Sequence, residues 1–389
     1  MKPSISYPEL DTPAVIVDMD KLEANINEAQ RLADSAGVKL RPVSKCHECA
    51  EIVRMQIKAG AAGIACGKLE EALHMADEGI GEILILHPFY GDLKMEKLKQ
   101  LASKPNLKLH GCVVDMVEQA EAISQVGQSI GKKIPILLKI DTGVKRFGVL
   151  PGEPALKIAK ELAKLPDIEL IGIMSHESPT GLIANTKEGL LKLAHEVAAV
   201  TSATARLLRN NGIPITHVEI GSTPTLDTLP ILKGYPEITE IHAGEYAYGD
   251  IAFVTQLAMP IEKCALYVLT TVTSTPDTLP ARAITDAGSK TIPPMPMHPQ
   301  YKQGEPGFLF DGKPCYGQIV GRPDLWLGRL AIVNGVVYFT DPDKRVALGE
   351  RLEIIPNAGF ICIGIHKRIY GVRNGKVEKM LKDVDTGSY

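Results

Sequence analysis

The chain has 389 residues, 45% hydrophobic and 23% charged, with a formal net charge of −3. That mixture supports a packed core and excludes wholesale disorder, and the near balance of charge leaves no basic face of the kind nucleic acid requires. The longest apolar runs, such as Ile83-Leu84-Ile85-Leu86, are far too short to cross a bilayer and no leader pattern opens the chain, so a cytoplasmic protein without a membrane or nucleic-acid partner is expected.

From about residue 38 to 250, short β-branched runs alternate with longer helical patterns, which predicts parallel strands joined by helical crossovers. Eight strands are predicted: Val38 to Ser44, Ala62 to Gly67, Glu82 to His87, Lys108 to Val114, Pro135 to Asp141, Glu169 to Ser175, Val218 to Ser222 and Glu240 to Tyr246. Eight is the number that closes a (β/α)8 TIM barrel, here assigned to residues 14–255. Leu22, Ile26, Ala29 and Leu32 repeat at helical spacing before the first strand, and Leu156, Ile158, Ala159, Leu162 and Leu165 do so after the fifth. Lys187 to Asn210 carries Leu190, Leu193, Ala194, Val197, Val200 and Ala203 on one face, and all these stripes are read as core packing.

Beyond residue 255 helical periodicity fades and β-rich runs follow: Ala265 to Thr273, Tyr316 to Val320, Arg329 to Phe339, Glu353 to Ile355 and Ile361 to Tyr370. Thr291 to Gly307, with five prolines, reads as a loop. A smaller, mostly β domain is therefore expected over residues 256–389, with residues 1–20 and their Ala14-Val15-Ile16-Val17 run packing on it. Seven scattered cysteines suit reduced thiols. Cys46-His47-Glu48-Cys49 has no second C-x-x-C or histidine pair to complete a zinc set.

In such a barrel chemistry gathers where strands run into the following loops. Lys45 ends the first strand, and a lysine partly desolvated there gives up its proton more readily and can form a Schiff base with a cofactor aldehyde. Asp141 to Gly148 follows the fifth strand, Ser175-His176-Glu177 the sixth, Gly221 to Thr225 the seventh, and His242 to Tyr246 the eighth. Gly221-Ser222-Thr223 offers unobstructed amides and two hydroxyls, a cradle for a phosphate dianion to which Gly244 and Glu245 can add. Arg146 offers a planar fork for a carboxylate. His176 and His242 share the rim.

Together with Asp11-Thr12-Pro13-Ala14, Leu40 to His47, Ala59 to Ile64, Glu70-Glu71-Ala72 and Asp286 to Lys290, these motifs resemble the D-threonine aldolase and D-serine dehydratase family, which shares its fold with alanine racemase. Lys139 to Gly143, Arg146-Phe147-Gly148 and Ser175-His176 are similar to alanine racemase itself. The resemblance implies pyridoxal 5′-phosphate bound to Lys45, its phosphate on Ser222, Thr223, Gly244 and Glu245, with Tyr246 also among the cofactor-binding residues, Arg146 near the lysine and the substrate carboxylate, and His176 beside the ring. His242 falls where alanine racemase carries the arginine facing the pyridine nitrogen. A homodimer acting on an amino acid is implied.

The same family holds a divalent metal with a late Pro-Asn-His-x-Cys segment and an earlier Glu-His-Gly. Here those stretches read Pro356-Asn357-Ala358-Gly359-Phe360 and Val333-Asn334-Gly335, so no metal is expected. Without a Lewis acid on a β-hydroxyl, racemisation or epimerisation at the α-carbon is the first expectation, with Lys45 as one base and Tyr316 or His47 as the second. A D-3-hydroxy amino acid aldolase or dehydratase is the alternative, and a pyridoxal-phosphate carrier a third; the extra domain counts against the carrier.

Overall fold

The computed structural model describes residues 7–177, 186–256, 258–278, 280–295, 314–339, 341, 343 and 345–383. Strand β1 (Ala14–Asp18) and helix α1 (Met19–Ala36) are followed by eight strands: β2 (Lys39–Pro42), β3 (Ile64–Cys66), β4 (Glu82–Ile85), β5 (Lys108–Val114), β6 (Ile134–Lys139), β7 (Ile168–Met174), β8 (His217–Ile220) and β9 (Glu240–Ala243). Helices alternate with them: α2 (Ala50–Ala59), α3 (Leu69–Asp77), α4 (Asp92–Ala102), α5 (Val117–Ile130), α6 (Glu153–Leu162) and α7 (Lys187–Asn210). All eight predicted strands are present, most of them shortened at their ends, and α7 has the predicted bounds.

The eight strands form one parallel sheet in the order β2-β9-β8-β7-β6-β5-β4-β3, and a parallel bridge between Val43 and Ala65 joins its two edges. The chain is thus a (β/α)8 barrel in this region. Its interior is apolar near the C-terminal ends of the strands, where Val43, Ala65, Leu84, Val113, Leu137 and Met174 pack together. Branched side chains at alternate positions fill such a barrel as a core and leave no pore.

The remaining strands are β10 (Leu266–Ser274), β11 (Arg282–Thr285), β12 (Gly317–Ile319), β13 (Leu325–Leu330), β14 (Gly335–Phe339), β15 (Arg351–Pro356), β16 (Arg368–Arg373) and β17 (Lys376–Asp383), with short helices α8 (Ile251–Thr255) and α9 (Gly359–Ile365). β1 lies inside this second sheet, antiparallel to β10 and parallel to β16. Ala14, Ile16, Tyr267, Leu269 and Ile355 share its core, so the N-terminal run does pack on the β-rich part. Two predictions need correction. The run Arg329 to Phe339 is a hairpin, β13 and β14, turning at Ala331 to Asn334, and Ile361 to Tyr370 is the end of α9 followed by β16.

The chain divides into two compact units, one made of Asn27–Lys45 and Ala50–Gly244, the other of the segment up to Ile26, Cys46–Cys49 and the chain from Glu245 onward. Of the proline-rich loop, residues 296–307 lie outside the described residues. No helix among the described residues is long and apolar enough to cross a membrane.

Candidate active site

Lys45 stands in a 3-10 turn, Ser44–Cys46, just past β2. Its side chain is exposed, which corrects the expectation of a partly desolvated amine. Its stem runs over Gly67, where an added Cβ would lie 3.2 Å from Lys45 Cδ. The turn is held by Glu71 on α3, a buried carboxylate that accepts from Ser44 Oγ at 2.5 Å and from the Gly67 N–H at 2.7 Å.

Cations crowd the mouth around it. The Lys139 side chain is buried at the end of β6, its ammonium 5.7 Å from the Phe147 ring centroid, and the exposed Arg146 guanidinium is 4.7 Å from the same ring. Burial first, then the charge of Arg146, brings Lys139 down to about 7, with Asp141 and Glu219 opposing. Burial together with Lys45, Arg146 and Lys139 lowers His87 to about 4. Burial and Lys139 bring His176 to about 3. His176 is therefore neutral at working pH. Its Nδ1 donates to the Gly221 carbonyl at 2.9 Å, leaving Nε2 as an acceptor. Three groups depressed first by burial and then by one shared set of cations lie at an electropositive mouth suited to an anion.

A candidate cradle for an anion lies after β8. Gly221 has φ +124°, and an added Cβ would come within 2.7 Å of the His242 amide nitrogen, so only glycine fits this close approach. Ser222 is the N-cap of a 3-10 helix, Thr223–Gly234, yet its side chain caps none of the helix amides. Its hydroxyl, the amide dipoles behind it and the Thr223 hydroxyl, which accepts from the Gly244 N–H at 3.2 Å, are arranged as at an anion-binding helix start.

Below the cradle a charged chain runs through the barrel interior. His242 Nε2 donates to Glu219 Oε2 at 2.7 Å, and His110 Nε2 meets Glu219 Oε1 at 2.7 Å. Arg41 Nε bonds Glu240 Oε1 at 2.5 Å, and Arg41 Nη2 reaches Glu82 at 2.9 Å and His110 Nδ1 at 3.0 Å. Burial alone would raise Glu219, but the hydrogen bonds from His110 and His242 hold it well below the usual carboxylate range. The sets His110, His217, Glu219 and Glu219, Glu240, His242 have metal-ligand spacing. The Arg41 guanidinium already sits among these carboxylates and supplies their counter-charge. His242 Nδ1, buried, has no hydrogen-bond partner among the described residues.

Lys45, Arg146, His176, Ser222, Thr223, His242 and Gly244 thus belong to one unit, whereas His47, Glu245, Tyr246 and Tyr316 belong to the other. His47 is buried, its Nδ1 accepting from the Cys49 N–H at 3.2 Å. Tyr316 is half-buried just before β12. Ala358 is the N-cap of α9 and Phe360 the second residue of that helix. A methyl and a phenyl group offer no donor atom, so these positions do not fit the family's divalent metal. Sequence reasoning missed Lys139, His87 and Glu71 as parts of the mouth, although Lys139 and Glu71 lay inside recognised motifs.

A family model described as alanine racemase, N-terminal domain, matches residues 17–252, and a serine dehydratase domain model matches residues 265–372. D-threonine aldolase of Arthrobacter sp. is 29% identical over 97% of this chain and 93% of its own length. D-threo-3-hydroxyaspartate dehydratase of Delftia sp. is 31% identical over 90% of each chain. The crystal structure of D-threonine aldolase from Filomicrobium marinum superposes with a TM-score of 0.84 at 27% identity, covering 100% of this chain and 99% of that one. Enzymes of this kind are pyridoxal-phosphate dependent, and the residues present fit that cofactor. Lys45 supplies an amine, Ser222 a hydroxyl at a helix start that caps none of the helix amides, and His242 Nδ1 a buried nitrogen without a partner among the described residues for a ring atom. The chain therefore belongs to the alanine racemase N-terminal domain family and is a pyridoxal-phosphate-dependent enzyme of the racemase or lyase type.

Proposed function

We propose that the protein is a lyase acting on a D-3-hydroxy amino acid, as an aldolase or a dehydratase. Coverage carries this reading. The D-threonine aldolase and D-threo-3-hydroxyaspartate dehydratase relatives match 97% and 90% of the chain, C-terminal unit included. Alanine racemases of Methanococcus maripaludis and Clostridium perfringens match only 41% and 55% of it. Racemisation, the first expectation from sequence, becomes the second reading, supported by the donor-free side chains of Ala358 and Phe360.

Bound to this chain, pyridoxal phosphate supplies an aldehyde that takes up the substrate amine and a ring that accepts electron density from the α-carbon. Lys45 offers the amine that anchors it and, once released, a base for one face of the α-carbon. Ser222, Thr223, Gly244, Glu245 and Tyr246 hold the phosphate. Arg146 orients the substrate carboxylate, neutral His176 accepts a hydrogen bond at Nε2, and His242 meets the ring nitrogen through Nδ1. Tyr316 and His47 are the groups proposed to move the second proton, and the active species is proposed to be a homodimer.

The test is product analysis with D-threonine, D-3-hydroxyaspartate and D-serine, with and without chelator. Glycine plus an aldehyde identifies an aldolase, and ammonia plus a keto acid a dehydratase. Deuterium entering the α-carbon with loss of optical activity and no fragments would replace the lyase reading with racemisation. Retention of the cofactor without any α-hydrogen exchange would support a carrier.

A further inference from the structure

Beneath the Ser222 turn lies a carboxyl group that the reading above does not use. Glu177, just past β7, has a relative exposure of 2%. It is hydrogen-bonded to Thr225 Oγ1. Thr225 Oγ1 lies 3.2 Å from Ser222 Oγ and 3.1 Å from the Ser222 carbonyl oxygen. The void beside it is about 10 Å³, lined by Glu177, Ala194, Ser222, Leu229 and Ile241, among others, with no second ionisable side chain among its lining. A carboxylate buried there has hydroxyls around it and no paired lysine or arginine among the described residues, an environment that favours the neutral acid.

We propose that Glu177 is a positioning residue that carries a proton whenever the Ser222 cradle holds a phosphate dianion, so that phosphate binding takes up one proton from solvent above neutral pH. The proposal rests on the assignment of the cofactor phosphate to Ser222.

Hydrogen count supports it. Thr225 has one hydroxyl hydrogen. When Glu177 is protonated, its O–H donates to Thr225 Oγ1, the Thr225 hydroxyl donates to the Ser222 carbonyl, and the Ser222 hydroxyl is left for the phosphate. When Glu177 is ionised, the Thr225 hydrogen turns to the carboxylate, and the Ser222 hydroxyl is drawn to the Thr225 oxygen in competition with the phosphate. A negative charge then also stands two hydroxyls away from a dianion, with burial weakening the screening. Burial raises the Glu177 carboxyl to about 7, the Thr225 hydrogen bond offsetting part of that rise. The free site is therefore split between its two protonation states near neutrality, and a dianion drives it to the acid form.

The other ionisable groups on the surrounding elements are engaged elsewhere or, like Lys187, Glu188, Lys192, Glu196 and Lys233, exposed. His176 is neutral and donates to Gly221. Glu219 and His242 bond each other, His195 on α7 meets the Tyr235 hydroxyl, and Asp227 is exposed.

The experiment uses the full chain freed of cofactor and pyridoxine 5′-phosphate as probe, because that molecule carries the phosphate and cannot react with Lys45. Calorimetry at pH 8 in two buffers of different ionisation enthalpy is expected to show uptake approaching one proton per molecule bound. The affinity should fall by up to about tenfold per pH unit between pH 7.5 and 9, and Glu177→Gln should flatten that slope. Infrared difference spectra of the unmodified chain should show a protonated carboxyl band appearing on binding, a readout that does not depend on the variant folding. Binding without proton uptake or that band, or with the same slope in Glu177→Gln, overturns the proposal and leaves the cradle standing. No binding of pyridoxine 5′-phosphate at any pH overturns the cradle and the proposal together.

Discussion

Removing the Glu71 carboxylate leaves two donors at the Lys45 turn, Ser44 Oγ–H and the Gly67 N–H, without their acceptor. Glu71→Leu is expected to cost ~1–3 kcal/mol in urea unfolding and to weaken the visible absorbance of the bound cofactor, which Glu71→Gln should largely restore. Lys139 makes the stability of the fold depend on pH. Unfolded, it titrates near 10.5, and folded near 7. Between those values the unfolded chain binds more protons, so its contribution to stability rises with pH across that window and is flat below it. Urea midpoints at about pH 6 and pH 9.5 check this: the wild type should gain on Lys139→Met at the higher pH, and a constant difference would contradict the assignment. Lys45, Ser222 and His242 were legible because strand ends and glycine turns carry their own signal. Lys139 was not, since a lysine in a sequence does not say which way its side chain points; only the close packing of Phe147 and Gly148 shows it.

Close approach between elements decides where substitution is tolerated. Gly172 on β7 pairs with His217 on β8, and a Cβ added there would stand 2.1 Å from the His217 carbonyl oxygen. Gly172→Ala should force those strands apart and cost ~1–3 kcal/mol, read as a lower unfolding midpoint. The strands and long helices of the barrel were readable because apolar runs of β-branched residues alternate with 3.6-residue stripes. The C-terminal elements were less so. α9 is rich in isoleucine and phenylalanine, which favour strand locally, but Asp250 accepts the Gly359 N–H at 2.7 Å and starts a helix there. The turn at Ala331 to Asn334 was overlooked because the runs on both sides of it are equally apolar. β11 is four residues long with alternating burial, too little for a period to stand out.

Across the whole molecule, stability is distributed between an ionic interior and a sheet whose strands are far apart in sequence. Arg41 is 1% exposed, and its loss would leave Glu240, also 1% exposed, as an uncompensated buried charge. Arg41→Met should cost ~3–5 kcal/mol, seen as a large drop in thermal midpoint. The charged residues in the middle of apolar strands were the available sign of this network, and their partners could not be named without the register. The same register constrains β1. It is hydrogen-bonded along one edge to β10 and along the other to β16, both of which are synthesised long after it. On the ribosome the barrel strands can pair in order as they emerge, while the first strand made must wait, both edges open, for nearly the last. Nascent chains stalled before Arg368 should therefore depend more strongly on chaperones than released ones, because an unpaired apolar strand is a template for association.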